Sequence, residues 1–151
     1  MILLAGATGV LGGAIARRLL DEPRALRLLV RNPSTVAALT ARGAEVAVGD
    51  VTRRDTLDAA MRGVTHVITT VNAFLAPTRR ALDAVDLQGN RNLIDAARQA
   101  GVRQFVFTSA WLPEPYYAID YFAAKRQTEA YLRASGVPYT ILRPAAFMET
   151  W

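Results

Sequence analysis

The sequence predicts an α/β protein with a doubly wound parallel sheet of about six strands, covered by helices on both faces in three layers. Short, almost continuously apolar runs recur along the chain and alternate with segments of helical periodicity. Strands buried on both faces have such continuous apolar sequences, and the alternation with helices requires right-handed crossovers between parallel strands. The chain also opens on an apolar run that passes through a glycine-rich turn into a helical pattern.

Each element follows from this alternation and from the residues that interrupt it. The first strand precedes Gly6, and the later strands are predicted over 25–30, 44–48, 66–71, 104–108 and 137–142. Helices are predicted over 14–20, 33–41, 55–62, 78–100 and 119–134. The last four helices are followed by a glycine, which favours a helix C-terminus, and these glycines are Gly43, Gly63, Gly101 and Gly136.

The composition indicates one globular domain over residues 1–151, since 52% of the residues are hydrophobic and 21% are charged. The absence of cysteine excludes disulfides and thiolate metal sites and fits a reducing cytoplasm, and no metal site is predicted. The net charge is +5, but the arginines are scattered among acidic residues and form no tract interleaved with aromatics. We therefore expect no nucleic-acid partner, and no apolar run is long enough to predict a membrane span.

The turn after the first strand has the spacing of a phosphate-binding loop, with glycines at positions 6, 9 and 12. Gly6 allows the tight turn, Gly9 lets the backbone approach a bound phosphate, and Gly12 lets the helix pack closely on the strand. The free amide groups at the start of the helix favour an anion. Such a turn can also simply join a strand to a helix, but its place between the two favours dinucleotide binding.

Ligands of doubly wound sheets bind outside the carboxyl ends of the strands, so the residues that follow the strands are the candidate cofactor contacts. Arg31 stands where an acidic residue would bind a ribose hydroxyl of NAD, whereas an arginine can bind the 2′-phosphate of NADP. Although Arg31 could be one of many surface arginines, we predict NADP(H) in preference to NAD(H). Asp50 is a candidate contact of the adenine amino group, or else a turn residue. The predicted cofactor-binding residues are Gly6, Ala7, Thr8, Gly9, Val10, Leu11, Arg31, Asp50, Val51, Thr70, Val71, Asn72, Lys125, Pro144, Ala145 and Phe147.

A second group of residues predicts catalysis. Tyr121 and Lys125 are four positions apart in the last predicted helix, so their side chains share one face. The ammonium is expected to lower the pKa of the phenol towards the value that a general acid needs. Ser109 follows the fifth strand and could hydrogen-bond a substrate carbonyl. An ordinary amphipathic helix is the alternative, but Lys125 is the single lysine among 18 lysines and arginines. Tyr121, Lys125 and Ser109 are therefore the predicted catalytic residues.

Together these motifs resemble the NmrA-like branch of the short-chain dehydrogenase/reductase superfamily, over essentially the whole chain. The resemblance rests on residues 6–12, 30–33, 49–51 and 105–109, on Lys125-x-x-x-Glu129, and on residues 135–144. It implies a Rossmann fold that binds NAD(P) but does not specify a substrate. The family includes quinone, enone and phenylpropanoid reductases, and also redox-sensing regulators that bind the cofactor without turning it over.

The sequence departs from the family pattern in three ways. Many NmrA-like proteins lack the tyrosine of the Y-x-x-x-K motif, so the presence of Tyr121 favours catalysis. Asp86 occupies the place of an asparagine that supports the active-site lysine in the extended branch of the superfamily. Family chains continue beyond the Arg-Pro after the sixth strand into a substrate-binding portion, which we expect to be missing from this chain.

The sequence therefore predicts an oxidoreductase that uses NADPH to reduce a small carbonyl or quinone substrate. The alternative is a non-catalytic NADP(H)-sensing regulator that binds a protein partner. In either case we expect a cytoplasmic protein, without a membrane partner, that can form a homodimer or bind another protein.

Overall fold

The computed structural model of the protein describes residues 1–111 and 119–145. Six parallel strands form one sheet with the order β3-β2-β1-β4-β5-β6. This arrangement confirms the predicted α/β class and the parallel, doubly wound sheet. The strands are β1 (Ile2–Ala5), β2 (Leu26–Val30), β3 (Glu45–Val48), β4 (His66–Thr69), β5 (Gln104–Thr108) and β6 (Tyr139–Leu142).

Helices connect the strands and cover both faces of the sheet. They are α1 (Val10–Leu19), α2 (Ala37–Thr40), α3 (Leu57–Ala60), α4 (Arg79–Leu82), α5 (Asn90–Gln99) and α6 (Asp120–Ala134). Short 3₁₀ turns, Pro33–Val36 and Arg54–Thr56, precede α2 and α3, so the helices predicted there are each made of two pieces.

The long helix predicted over 78–100 differs from the prediction in its centre. A π-helix, Asp83–Gly89, joins α4 to α5. Wider π turns inside α-helices are rare and occur frequently at functional sites. The helical periodicity of the sequence does not reveal this segment, which contains the fully buried Asp86.

Alternate residues of the strands point to opposite faces of the sheet, as the twofold period of a strand requires. Leu3 and Leu4 are both fully buried but belong to two separate core clusters. The first cluster packs the sheet against α3, α5 and α6 through residues that include Leu57, Leu93, Ile94, Phe105, Phe107 and Leu132. The second packs the other face against α1 and α2 through residues that include Ala16, Leu26, Leu28 and Val36.

The strand order reverses at β1, which pairs with β2 on one side and β4 on the other. The connection after β1 therefore runs to one face of the sheet and the connection after β4 runs to the other. The chain separates at this point and leaves a crevice outside the carboxyl ends of the strands, which is the usual ligand site of such sheets.

The close approach of α1 to β1 depends on Gly12. A Cβ atom at position 12 would lie 2.1 Å from the carbonyl oxygen of Gly6, which is backbone and cannot rotate away. At Gly13, also buried in α1, an added Cβ would meet Ala7 O and Arg17 Nη1 at 3.4 Å, which is ordinary contact.

We predict that Gly12→Ala lowers the free energy of unfolding by about 2–3 kcal/mol, because overpacking forces the helix away from the strand. The matched control Gly13→Ala should be neutral or stabilising by up to about 1 kcal/mol, since alanine is the better helix former. Chemical denaturation followed by circular dichroism measures both variants. Equal stability of the two variants would contradict the packing role of Gly12.

Candidate dinucleotide-binding site

A cleft of about 530 Å³ lies at the carboxyl ends of β1, β2, β3 and β4. The residues that line it come from the segments that follow these strands and from the π-helix. They are Ala5, Gly6, Thr8, Gly9, Leu29, Val30, Arg31, Asn32, Thr35, Gly49, Asp50, Val51, Thr52, Thr70, Val71, Asn72, Ala73 and Val85.

The glycine turn forms the floor of the cleft. Gly6 has a φ of +98°, a conformation that L side chains rarely adopt, and a Cβ there would lie 2.4 Å from Thr70 Oγ1. Gly9 is different because its φ is −83° and the nearest atom to an added Cβ is Gly6 O at 3.5 Å. A side chain at position 9 would therefore occupy the open space in front of the turn without disturbing the fold.

The N-terminus of α1 lies at this open space and has the features of an anion site. Gly9 is the N-cap residue, no side chain caps the helix, and no acidic residue occurs in its first turn. The first amide groups of a helix lack partners within the helix and carry partial positive charge. An empty space in front of these groups, which a Cβ at Gly9 would enter, fits the pyrophosphate of a dinucleotide.

Arg31 lines the cleft directly after β2, the strand next to β1. The Asn32 side chain accepts hydrogen bonds from the Ser34 amide and hydroxyl at 3.1 and 2.9 Å, which fixes the loop beside it. Arg31 itself is exposed and pairs with no acidic residue among those that the structure describes. Its guanidinium is consequently available to an anionic group of a ligand.

The wall of the cleft at the carboxyl end of β3 is held by hydrogen bonds around Asp50 and Val51. Asp50 Oδ1 accepts from the Thr52 amide and hydroxyl, both at 2.9 Å. The carbonyl of Val51 accepts a hydrogen bond of 2.9 Å from Asn92 Nδ2 in α5. Gly89 packs against the Val51 side chain, where a Cβ would approach Val51 Cγ2 to 2.8 Å. The position of this wall is thus set by α5 and by the π-helix.

A buried ion pair lies behind the other wall. Lys125 Nζ is 3.0 Å from Asp86 Oδ1, and the two side chains are 2% and 0% exposed. The same ammonium donates to the carbonyl of Val71 at 3.2 Å, while Asp86 Oδ2 accepts from the Ala73 amide at 2.7 Å. Burial lowers the pKa of Lys125, and Asp86 opposes that effect. The pair ties α6 and the π-helix to the segment after β4 that lines the cleft.

Tyr121 does not have the acidic phenol that its spacing from Lys125 led us to expect. Burial, and secondarily the charge of Asp86, raise the pKa of Tyr121 to about 12, so the expected lowering by Lys125 is wrong. The Lys125 ammonium lies over the Tyr121 ring, 5.4 Å from its centroid, and its hydrogen bonds go to Asp86 and Val71 instead. The phenol stays protonated at neutral pH.

Ser109 is 3% exposed, and its hydroxyl makes no hydrogen bond of good geometry with any residue that the structure describes. It lies beside Glu129, whose carboxylate receives hydrogen bonds from Arg143 (Nε, 2.8 Å) and Arg133 (Nη2, 2.9 Å). Burial alone would raise the pKa of Glu129, but Arg143, Ser109 and Arg133 together lower it to about 2. Because the Ser109 hydroxyl does not meet bonding geometry, we attribute most of this lowering to the two arginines.

The structure brings about half of the predicted cofactor residues to the cleft and places the others elsewhere. Those that line it are Gly6, Thr8, Gly9, Arg31, Asp50, Val51, Thr70, Val71 and Asn72. Those that do not are Ala7, Val10, Leu11, Lys125, Pro144 and Ala145, and Phe147 lies outside the described residues. Among the predicted catalytic residues, Tyr121 and Lys125 adjoin each other, whereas Ser109 faces Glu129.

Several lining residues were not predicted from the sequence. Asn32, Thr35, Gly49, Thr52 and Ala73 directly follow or flank the strand ends that were singled out, so a wider window around those ends would have included them. Val85 belongs to the π-helix, and no sequence signal points to it. In residues 1–111 and 119–145 no three metal-binding side chains come together, and no helix there has the length and apolar character needed to span a membrane.

A doubly wound sheet with a glycine turn, an uncapped helix N-terminus and a long cleft at the reversal of strand order defines a dinucleotide-binding protein. Residues 6–150 match a family described as NAD(P)H-binding. The chain therefore belongs to the NAD(P)H-binding family, as its motifs led us to expect.

Comparison with individual proteins agrees with this assignment. The photosystem II assembly factor Ycf39 of Cyanophora paradoxa is 38% identical over 149 residues, which are 98% of this chain and 46% of that protein. The triphenylmethane reductase of Citrobacter sp., in complex with NADP(H), superposes with a TM-score of 0.83 at 28% identity, over 99% of this chain and 51% of that one. An NADPH-dependent quinone oxidoreductase of Escherichia coli, complexed with NADPH, gives a TM-score of 0.83 at 30% identity, over 100% of this chain and 51% of that one. The chain thus spans about half the length of these relatives.

The low pKa of Glu129 predicts how the free energy of unfolding changes at acid pH. This carboxylate binds fewer protons in the folded state than in the unfolded state. Its contribution to the free energy of unfolding is therefore complete above pH 4.5, its ordinary pKa, and is lost as the pH falls towards about 2. We predict that Glu129→Gln flattens the pH dependence of the unfolding free energy in this window by up to about 3 kcal/mol. Asp55→Asn, which removes a carboxylate that is 68% exposed, is the control. Urea denaturation at several pH values measures both, and parallel profiles of parent and Glu129→Gln would contradict the assignment.

Proposed function

We propose that the protein binds NADP(H) in the cleft, with the pyrophosphate at the N-terminus of α1 and the adenosine half between Arg31 and Asp50. The observation that carries this proposal is the open space in front of Gly9, at an uncapped helix N-terminus with no acid in its first turn. The length of the cleft supports it as well, since the cleft extends along the carboxyl ends of β1, β2, β3 and β4.

A preference for NADP(H) over NAD(H) follows from the charge at the end of β2. The guanidinium of an arginine can form paired, charge-assisted hydrogen bonds with a phosphate. Arg31 is exposed, lines the cleft and forms no ion pair with an acidic residue among the described residues, so its guanidinium is open to a 2′-phosphate. The complexes of two similar reductases with NADP(H) and NADPH are consistent with this preference.

We infer further that the protein is a reductase of a small carbonyl or quinone substrate. A bound reduced nicotinamide would supply the hydride for such a reaction. Tyr121 is the candidate proton donor, because its phenol remains protonated and its ring lies beside Lys125 and beside Phe74 in the segment after β4. Lys125 holds the segment after β4 in place. Ser109 is a candidate contact of the substrate oxygen, because its hydroxyl has no hydrogen-bond partner of good geometry among the described residues.

The second candidate function is a non-catalytic NADP(H)-binding regulator that acts through a protein partner. The observation in its favour is the similarity to the assembly factor Ycf39, at 38% identity. Such a protein needs the cofactor cleft and the support of Lys125 but has no need of the Tyr121 hydroxyl. The two functions therefore make different predictions for a change at that hydroxyl.

The first prediction concerns the pyrophosphate. Gly9→Val should fold like the parent, because a side chain fits there, but should weaken NADPH binding by at least about tenfold, because the side chain fills the phosphate space. Fluorescence titration with NADPH measures the affinity, and Gly13→Ala is the control in the same helix. Parent-like affinity in a folded Gly9→Val protein would disprove the assignment of the site.

The second prediction concerns the choice of cofactor. Loss of one charge-assisted pair costs about 1.5–3 kcal/mol, so Arg31→Ala should erase most of the preference for NADPH over NADH. Arg24→Ala removes an exposed arginine that precedes β2, at the other end of the sheet, and should leave the preference intact. Calorimetric titration of both proteins with both cofactors gives the ratio. An unchanged ratio in Arg31→Ala would rule out its contact with the phosphate.

The third prediction separates the two functions. If Tyr121 donates a proton in the reaction, Tyr121→Phe should reduce NADPH-dependent turnover of quinones or ketones by about 10²–10⁴-fold while NADPH binding is retained. Tyr139→Phe, on the exposed edge strand β6, is the matched control. Unchanged turnover in Tyr121→Phe, or a parent protein that binds NADPH but reduces no acceptor in the panel, would favour the regulator.

A further inference from the structure

The ion pair of Lys125 and Asp86 stands at the centre of a buried polar network. Asp86 belongs to the π-helix, and its backbone carbonyl accepts from Thr128 Oγ1 at 2.9 Å and from Asn90 Nδ2 at 3.1 Å. Asn90 Oδ1 in turn accepts from Thr69 Oγ1 at 3.1 Å. The backbone of Asp86 is therefore held by α6 and by Asn90, which joins it to the end of β4, while its carboxylate is held by Lys125 and by the Ala73 amide.

The ammonium of Lys125 is enclosed on its remaining sides by aromatic rings. Its Nζ atom lies 5.2 Å from the centroid of Phe107 and 5.4 Å from that of Tyr121. The Tyr121 ring itself packs edge-on against Phe74 and Phe122, with centroids 5.0 and 5.1 Å apart. The phenol and the ammonium thus share one apolar compartment, in which the nearby negative charge is that of Asp86.

The other charged groups on these elements are more exposed and compensate one another. Arg79 of α4 pairs with Asp83 at 3.4 Å and with Asp120, at the start of α6, at 2.7 Å. Their side chains are 36–60% exposed, so solvent screens their effect on the compartment. Within the described residues, the charge felt by the Tyr121 phenol is therefore set mainly by Lys125 and Asp86.

We propose that Asp86 is a positioning residue that cancels the charge of Lys125 and so keeps the Tyr121 hydroxyl protonated, as a proton donor must be when an acceptor binds. An uncompensated ammonium beside a phenol favours the phenolate, whereas a neutral ion pair leaves burial to favour the protonated form. This inference rests on the proposed reductase function and adds to it a residue that controls the protonation of its proton donor.

The proton balance of the reduction shows why the protonated form is needed. When an acceptor carbon has received a hydride, the O–H bond of Tyr121 breaks, its proton passes to the acceptor oxygen, and solvent returns a proton to the phenolate. A Tyr121 that had already lost its proton to solvent could not complete this step. Because burial and the charge of Asp86 raise the pKa of Tyr121 to about 12, the phenol carries its proton throughout the neutral range.

Direct titration of Tyr121 tests the proposal without a substrate. The ultraviolet absorbance of tyrosinate is followed as the pH is raised, and the curve of Tyr121→Phe is subtracted from that of the parent. The difference should show a midpoint well above that of an exposed tyrosine. Asp86→Asn should bring this midpoint down by about one pH unit or more, and the double variant Asp86→Asn/Lys125→Met, which removes both charges, should return it to near the parent value.

Three results would overturn the proposal: a parent midpoint at or below that of free tyrosine, an unchanged midpoint in Asp86→Asn, or a double variant that differs from the parent as much as Asp86→Asn does. A merely structural Asp86 gives the last of these, because both variants would then loosen the compartment alike. If Asp86→Asn does not fold, the parent midpoint still tests the proposal, since a value at or below that of free tyrosine overturns it. NADPH titration of the same proteins is read separately, so failure of the proposed function appears as lost binding in the parent and not as a change in the tyrosine midpoint.

Discussion

The contact between the glycine turn and the first helix is the constraint on which the cleft depends. Gly12 lies so close to the carbonyl of Gly6 that no side chain fits between them, and this closeness brings the N-terminus of α1 directly behind the end of β1. The amide groups of the helix then face the crevice that the reversed strand order leaves open. A more distant helix would leave the same sheet without an anion site.

The opposite wall of the cleft depends on a second buried feature, the ion pair of Lys125 and Asp86. Burying two charges is costly unless they are paired and further hydrogen-bonded, and here the backbone of Val71 and Ala73 supplies the additional bonds. The arrangement holds the wall in place, and in our proposal it also keeps Tyr121 protonated. In that proposal, support of the cofactor site and control of its proton donor come from the same pair of residues.

Comparison of the sequence with the structure separates what is local from what is not. The fold was predictable because apolar runs and glycine stops reflect each element separately, and the glycine turn was predictable because its demands fall on consecutive residues. Residue spacing alone did not predict the pairing of Lys125 with Asp86, since it joins distant elements through a π-helix that leaves helical periodicity intact. For the same reason the predicted direction of the pKa shift of Tyr121 was wrong. The spacing places a lysine next to the phenol but does not reveal the carboxylate that neutralises the lysine. Only the family resemblance, which places Asp86 at the position of an asparagine that supports the lysine, pointed to the pairing.

The most direct test of the central claim is an experimental structure of the protein with NADPH bound. The account predicts pyrophosphate oxygens within hydrogen-bond distance of the backbone amides at the start of α1, in the space in front of Gly9, and the 2′-phosphate against the guanidinium of Arg31. A dinucleotide bound elsewhere, or bound in the cleft with its pyrophosphate away from this helix N-terminus, would contradict it.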